Sequence, residues 1–271
     1  MLPTSVLTFE PHPREYFSPD EAPARLTSLR EKVALMAAND IDRVYVCRFS
    51  ARFAALTADE FIEQVLVRGF AARHLLIGDD FRFGAGRDGD FARLQAAGRT
   101  HGFSVEAMPT LLIEGERASS SAVRKALASG ELDHAARLLD RPYSIAGRVK
   151  HGDRIGRQLG FPTANLRFFH RRPALSGVFA VRVEGLDSHL IAGIANVGLR
   201  PTASDTHEPR LEVHLLDWTG DCYGACLRVH FLHKLRDEIR FPSLEALKAQ
   251  IARDEHAARD WFHHYPDHFH R

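Results

Sequence analysis

The feature that most constrains the fold is a change of sequence pattern near Pro142. Before that residue, short β-rich runs alternate with amphipathic helical stretches, and after it the runs are almost all strand-like. A chain of 271 residues has room for two ordinary domains. We therefore predict an α/β module over residues 1–141 and a β-rich module over residues 142–271.

The first half has the element order of a Rossmann-like α/β module. Strands are predicted at residues 6–9, 43–47, 74–77 and near Val105, and helices at residues 28–38, 57–68, 91–97 and twice within 122–139. Ser28 with Glu31 and Thr57 with Glu60 have the spacing of capping boxes, and Gly69 stands where a left-handed residue is expected to end a helix. Strands that alternate with helices pair in parallel, which places ligands at the carboxyl ends of the strands.

The second half reads as an antiparallel β-barrel or sandwich closed by one helix. The predicted strands are residues 143–149, 178–183, 190–197, 211–217 and 227–232, and the predicted helix is residues 243–262. Glycine-containing turns separate these strands, and Leu244, Leu247 and Ile251 give the helix an apolar stripe.

The composition argues against several functional classes. The formal net charge is +1, from 36 Lys and Arg against 35 Asp and Glu, so the chain lacks the basic field used for nonspecific nucleic-acid binding. No apolar run approaches the roughly 20 residues that span a bilayer, and no secretory signal is visible. Three cysteines are too few for a disulfide framework, and Cys222 with Cys226 lacks the second pair that structural zinc requires. We expect a cytoplasmic protein that binds neither membranes nor nucleic acids, and we expect the His-rich C-terminal end to be solvated.

The most informative segment is a glycine-spaced loop that ends in Pro-Thr-Ala-Asn. Gly152, Gly156 and Gly160 let the backbone approach a phosphate chain without interference from Cβ atoms, although the segment is not a Walker A loop. Thr163 and Asn165 are two residues apart, so in an extended segment their side chains share a face and could hold Mg²⁺ with ATP phosphates. The alternative is an ordinary turn with local side-chain hydrogen bonds.

This segment resembles the signature of riboflavin kinases, and the resemblance extends in order over residues 143–262. Three later segments also match that family: Asn196-Val197-Gly198 with Arg200-Pro201-Thr202, Leu211 to Asp217, and Phe231-Leu232-x-Lys234-Leu235-Arg236. The resemblance implies transfer of the ATP γ-phosphate to the riboflavin 5′-hydroxyl, giving FMN. It also implies that the glycine loop wraps ATP, that Thr163 and Asn165 bind Mg²⁺ and phosphates, and that Arg236 lies near the flavin.

The resemblance further implies that Glu212 is the catalytic base. The strand pattern agrees with this role, because Leu211, Val213 and Leu215 alternate as a core face and leave Glu212 and His214 on the opposite face. A carboxylate there could accept the proton of the attacking hydroxyl. The alternative is a solvated strand residue without a catalytic role.

The first half is similar to the FMN adenylyltransferase (FAD synthetase) module that precedes the kinase domain in bacterial bifunctional enzymes. The matching segments are Thr8 to Pro13, Gly78 to Gly84 and Ser119 to Arg124. The similarity implies that Ser120, Ser121 and Arg124 bind ATP phosphates at a helix N-terminus and that Asp80 helps to place the flavin or nucleotide.

One departure from that family concerns the usual opening of the module. Its first strand and its His-x-Gly-His segment, which stabilises the adenylyl transition state, have no counterpart in this sequence. We therefore predict a riboflavin kinase, and the small-molecule substrates expected for the chain are riboflavin, FMN and ATP. The alternatives are a fully bifunctional enzyme that also converts FMN to FAD, and a flavin- or nucleotide-binding regulator without turnover. The sequence leaves the oligomeric state open.

Overall fold

A computed structural model describes residues 2–152, 156, 160–167, 172–201 and 207–266. Contacts within the chain define two compact units. One consists of Met1–Ala22 with Met36–Leu111, and the other of Pro23–Leu35 with Leu112–Arg271. The division into domains at residues 141 and 142 stays a prediction.

The helices of the described residues occur mostly where the sequence predicts them. They are α1 (Pro13–Phe17), α2 (Leu29–Ala38), α3 (Ala51–Ala54), α4 (Ala58–Glu60) running into a π-helix (Phe61–Gly69), a 3₁₀ turn (Ala85–Arg87), α5 (Phe91–His101), α6 (Ser120–Ser129), α7 (Leu132–Leu139) and α8 (Leu244–His264). Both capping boxes are present, since the hydroxyls of Ser28 and Thr57 accept hydrogen bonds from the backbone of Glu31 and Glu60.

The prediction that Gly69 ends its helix in the left-handed conformation is wrong. Gly69 lies inside the π-helix, whose wider i→i+5 bonding continues to the bond from Phe70 N to Val65 O, 2.9 Å long. The left-handed residue is instead Ala71, with φ of 47°. Because of this wider hydrogen bonding, Gly69 remains helical and the left-handed residue comes two positions later.

The first unit contains two separate pairs of parallel strands. β1 (Ser5–Glu10) pairs with β2 (Arg43–Arg48), and β3 (His74–Ile77) pairs with β4 (Ser104–Ala107). Among residues 2–111, no strand hydrogen-bonds to both pairs. Apolar side chains of β1, β3 and β4 nevertheless pack on one core. The two pairs therefore share one core without sharing a strand.

The second unit is built on a closed antiparallel barrel, as predicted. Its strands are β7 (Ser144–Lys150), β8 (Thr163–Arg167), β9 (Gly177–Glu184), β10 (Ile191–Pro201), β11 (His207–Leu215) and β12 (Cys226–Arg236), in the order β10-β11-β8-β7-β12-β9. A short hairpin, β5 (Leu112–Ile113) and β6 (Glu116–Arg117), precedes α6. Side chains fill the barrel, and Phe179, Val181, Val213 and Val229 have no exposed surface.

The helix α8 packs outside the barrel against β9 and β10, where Ala258 and Trp261 contact an apolar cluster that includes Ala180 and Ile194. Two arginine–aspartate pairs reinforce the contact. Arg236 donates to both carboxylate oxygens of the buried Asp254 at 2.7–3.1 Å. Arg259 donates to both oxygens of Asp217 at 2.7 and 2.8 Å.

Candidate active site

The pairing of β8 with β11 brings the predicted site residues together. In the antiparallel register Glu212 lies opposite Asn165, and His214 lies opposite Thr163. Opposed residues point to the same face of a sheet. The alternate residues of both strands, Ala164, Leu166, Leu211 and Val213, are buried in the barrel core. Asn165 and Glu212 therefore share the outer face, where both are partly exposed.

The glycine loop packs directly on the two polar residues of β8. A Cβ atom on Gly152 would overlap the carboxamide of Asn165. A Cβ atom on Gly156 would overlap the Phe161 carbonyl oxygen and would lie 3.3 Å from Thr163 Oγ1. Gly160 has φ of +91°, in the region that favours glycine. Residues 153–155 and 157–159 of this loop lie outside the described residues.

Glu212 is held by a charged neighbour on its own strand. Arg210 Nη1 donates to Glu212 Oε1 at 2.7 Å, and the two side chains are 30% and 27% exposed. Among the described residues, no hydrogen bond to Glu212 Oε2 is present. One oxygen is therefore oriented by the guanidinium, and the other is left for a further donor.

A second carboxylate lies close to this face. Glu238 follows β12, and its carboxyl group packs on Gly198, where a Cβ atom would overlap it. Burial raises the pKa of Glu238, Arg236 and Arg240 lower it, and the Glu212 carboxylate raises it, with a net increase. The electrostatic coupling between Glu212 and Glu238 was not visible in the sequence, because the two residues are distant along the chain.

His214 links β11 to the Pro-Thr-Ala-Asn segment. Its Nδ1 lies 2.9 Å from the carbonyl oxygen of Pro162, so a proton on Nδ1 donates to that carbonyl. The Phe161 ring meets the imidazole edge to face at 5.6 Å. The strand alternation predicted that His214 shares a face with Glu212. It did not predict the hydrogen bond to Pro162, because every residue has a backbone carbonyl and the sequence does not mark which one accepts.

Arg236 lies among contacts to α8. Besides its pair with Asp254, its Nη1 donates to the carbonyl oxygen of Asp237 at 2.9 Å. This structure therefore shows Arg236 fastening β12 to the C-terminal helix. A contact with the flavin stays a prediction.

The predicted site residues of the first half are divided between the two units. Asp80 belongs to the first unit, in the turn after β3. Ser120 and Ser121 begin α6 in the second unit, where Ser119 caps the helix by accepting a hydrogen bond from Ala122 N. Arg124 Nε donates to the carbonyl oxygen of Ala24 at 2.6 Å. The roles of these four residues with ATP and flavin stay predictions.

Comparisons with known proteins agree with the two modules. A family model described as FAD synthetase matches residues 1–122, and one described as riboflavin kinase matches residues 139–262. A bifunctional riboflavin kinase/FMN adenylyltransferase of Escherichia coli strain K12 is 50% identical over 261 residues, which are 96% of this chain and 83% of that protein. The chain belongs to the bifunctional riboflavin kinase/FMN adenylyltransferase family.

One more curated relative and one solved structure are also similar to this chain. The Pseudomonas fluorescens protein of the same name is 49% identical over 258 residues, or 95% of this chain and 82% of that protein. A solved structure called a macrolide-efflux protein from Streptococcus pneumoniae is 30% identical, with a TM-score of 0.76, and covers 96% of this chain and 84% of its own. The name of that structure describes an activity that differs from the one named for the curated relatives.

Among the helices of the described residues, none combines the length and the apolar character that a membrane span requires.

The contact between Gly152 and Asn165 gives a direct test of the site geometry. Gly152→Ala should weaken binding of ATP by about 10- to 100-fold, because the added methyl group must displace either the Asn165 carboxamide or the loop. Isothermal titration with ATP measures the change. The control is Gly102→Ala in the first unit, where alanine strains the left-handed backbone but its Cβ atom meets nothing within 4 Å. Equal ATP affinities for the two variants would contradict a role of this contact in ATP binding.

Proposed function

We propose that the barrel domain of this chain transfers the γ-phosphate of ATP to the 5′-hydroxyl of riboflavin and releases FMN and ADP. The observation that carries the proposal is the register of β8 and β11, which places Glu212 opposite Asn165. The fit of Gly152 against Asn165 adds a backbone surface for a phosphate chain on the same face. The family assignment supplies the substrate class.

Glu212 serves as the general base in this proposal. Its free oxygen accepts the proton of the riboflavin hydroxyl while the hydroxyl oxygen forms a bond to the γ-phosphorus. The bond from that phosphorus to the β–γ bridging oxygen breaks, and its electron pair leaves with ADP. General-base catalysis of this kind contributes about 10²- to 10⁴-fold to the rate. In-line positioning and neutralisation of charge supply most of the remainder.

Thr163 and Asn165 are the residues that would hold Mg²⁺. Both offer neutral oxygen ligands from one short strand, and a hard cation that keeps most of its waters needs few protein ligands. Bound with ATP, the cation would neutralise charge on the phosphates. Among the described residues, no cluster of three or more His, Cys, Asp or Glu could hold a metal ion, which is compatible with a site built from a hydroxyl and an amide.

Adenylylation of FMN to FAD is a second candidate activity. It is favoured by the FAD synthetase model over residues 1–122 and by the names of the curated relatives. Ser120, Ser121 and Arg124 would bind the ATP phosphates at the start of α6, and Asp80 would help to place the flavin or nucleotide.

A cytoplasmic location is part of the proposal. Cys47, Cys222 and Cys226 are all free thiols, which suits a reducing compartment.

Product analysis separates the candidate functions. Incubation of the full chain with riboflavin, ATP and Mg²⁺ should yield FMN and ADP, resolved by chromatography. FAD and pyrophosphate in the same reaction would add the adenylyltransferase activity of the first half. Tight binding of riboflavin with no FMN formed would overturn the kinase assignment in favour of a regulator.

Glu212→Gln tests the base. The substitution should lower kcat by about 10²-fold or more and leave the KM for ATP nearly unchanged, because it removes proton acceptance and little ground-state binding. Steady-state kinetics with riboflavin and ATP provide the measurement. Glu184→Gln, on β9 with the glutamate side chain 58% exposed, is the matched control and should retain the parental kcat. A Glu212→Gln enzyme with unaltered kcat would rule out the role.

Asn165→Ala tests the metal site. Loss of one of two protein ligands should raise the Mg²⁺ concentration at half-maximal activity by about tenfold or more. A metal titration at saturating ATP and riboflavin measures the shift. Asn39→Ala in the first unit is the control and should titrate as the parent. Superimposable titrations for all three proteins would exclude Asn165 as a ligand.

A further inference from the structure

Asn196 is the second carboxamide beside Glu212. It lies on β10, and the register places it directly opposite Glu212, on the other side from Asn165. Glu212 is thus flanked across the sheet by two asparagines that share its face. The Asn196-Val197-Gly198 segment matches the family pattern, but the kinase chemistry described so far leaves Asn196 without a role.

The carboxamide oxygen of Asn196 is unusual because it is buried without a hydrogen bond. Asn196 Oδ1 is buried and has no hydrogen-bond partner. Buried acceptors are nearly always paired, and an unpaired one destabilises the folded state. In a protein that keeps such an atom, a donor that arrives during function is one explanation.

The ionised Glu212 cannot supply that donor. A carboxylate accepts hydrogen bonds only, so the ionised Glu212 and Asn196 Oδ1 cannot bond to each other. The nearby guanidinium of Arg210 is directed to Glu212 Oε1. Once Glu212 has taken a proton, however, it carries an O–H group and becomes a donor.

We propose that Asn196 is a positioning residue of the kinase reaction, whose carboxamide oxygen accepts a hydrogen bond from protonated Glu212. The inference rests on the proposed function, in which Glu212 is the base. As the riboflavin O–H bond breaks, its proton forms a bond to a Glu212 oxygen, and that new O–H donates to Asn196 Oδ1. The hydrogen bond exists only after proton transfer has begun, so it stabilises the transition state and product rather than the bound substrates. The proton then leaves Glu212 for solvent.

Asn196→Leu is the first test. Leucine has a similar shape and removes the buried acceptor, so the melting temperature should stay the same or rise. The value of kcat should fall about tenfold, with the KM for ATP and riboflavin unchanged. Asn196→Ala also removes the acceptor but adds no branched side chain, so it should show the same loss of kcat. Ile194→Leu, on the same face of the same strand, is the control and should keep the parental kcat.

A second measurement detects the hydrogen bond without any activity. Glutamine at position 212 imitates protonated glutamate, because its amide group can donate to Asn196 Oδ1. The melting-temperature change caused by Glu212→Gln should therefore be more favourable with Asn196 present than in the Asn196→Leu background. A double-mutant cycle of the four proteins provides this comparison.

The outcomes separate this inference from the proposed function. If Glu212→Gln lowers kcat but Asn196→Leu keeps the parental kcat, the role of Asn196 is overturned and the kinase base stands. Equal melting-temperature changes in the two backgrounds would also overturn the hydrogen bond. If Glu212→Gln retains the parental kcat, the base and the inference fail together.

Discussion

The site depends on the backbone ladder between β8 and β11. β8 has only five residues, yet it pairs with β7 on one side and β11 on the other. Because side chains alternate along a strand, a slip of one residue would turn Asn165 into the barrel core and bring Ala164 or Leu166 to the surface. Burial of those apolar neighbours therefore fixes the register that sets Glu212 opposite Asn165. The chemistry is held in place by the core beneath it.

The polar face around Glu212 combines opposite charges with neutral amides. Arg210 and His214 flank it along β11, Asn165 and Asn196 flank it across the sheet, and the influence of its charge extends to Glu238. The Arg210 guanidinium, 2.7 Å from Glu212 Oε1, fixes the direction of that oxygen. The neutral amides add hydrogen-bonding capacity without adding further charge. This combination suits the change from acceptor to donor that the proposed reaction requires of Glu212.

Periodicity in the sequence predicted much of this structure, for identifiable reasons. The strands β9 to β12 and the helix α8 have long, regular patterns of apolar residues, and the capping boxes mark the starts of their helices. The alternation around Glu212 correctly placed it opposite to the core face. The short elements were missed, namely α1, α3 and the β5–β6 hairpin, because two to five residues carry too little pattern.

Other features depend on contacts between distant residues, which a single sequence does not display. The pairing of Arg236 with Asp254 spans 18 positions. Glu238, which follows β12, contacts Gly198 on β10. The Thr163–Arg167 segment was also open to interpretation as a turn, since a Pro-Thr-Ala-Asn run has the composition of one. Its neighbours β7 and β11 make it a strand. The π-helical hydrogen bonding of Phe61–Gly69 is likewise not indicated by the residue types of that segment.

Because side chains fill the interior of the barrel, a reacting phosphate cannot be shielded from bulk water inside it. Phe179, Val181 and Val213 leave no lumen, so the candidate site lies on the outer wall. A phosphoryl group exposed there would meet water as readily as a substrate hydroxyl, and phosphotransferases suppress such hydrolysis by enclosing the reaction. In the proposed reaction the enclosure would come from segments that lie over this wall. Gly152 and Gly156, which contact Asn165 and Thr163, would form its first part.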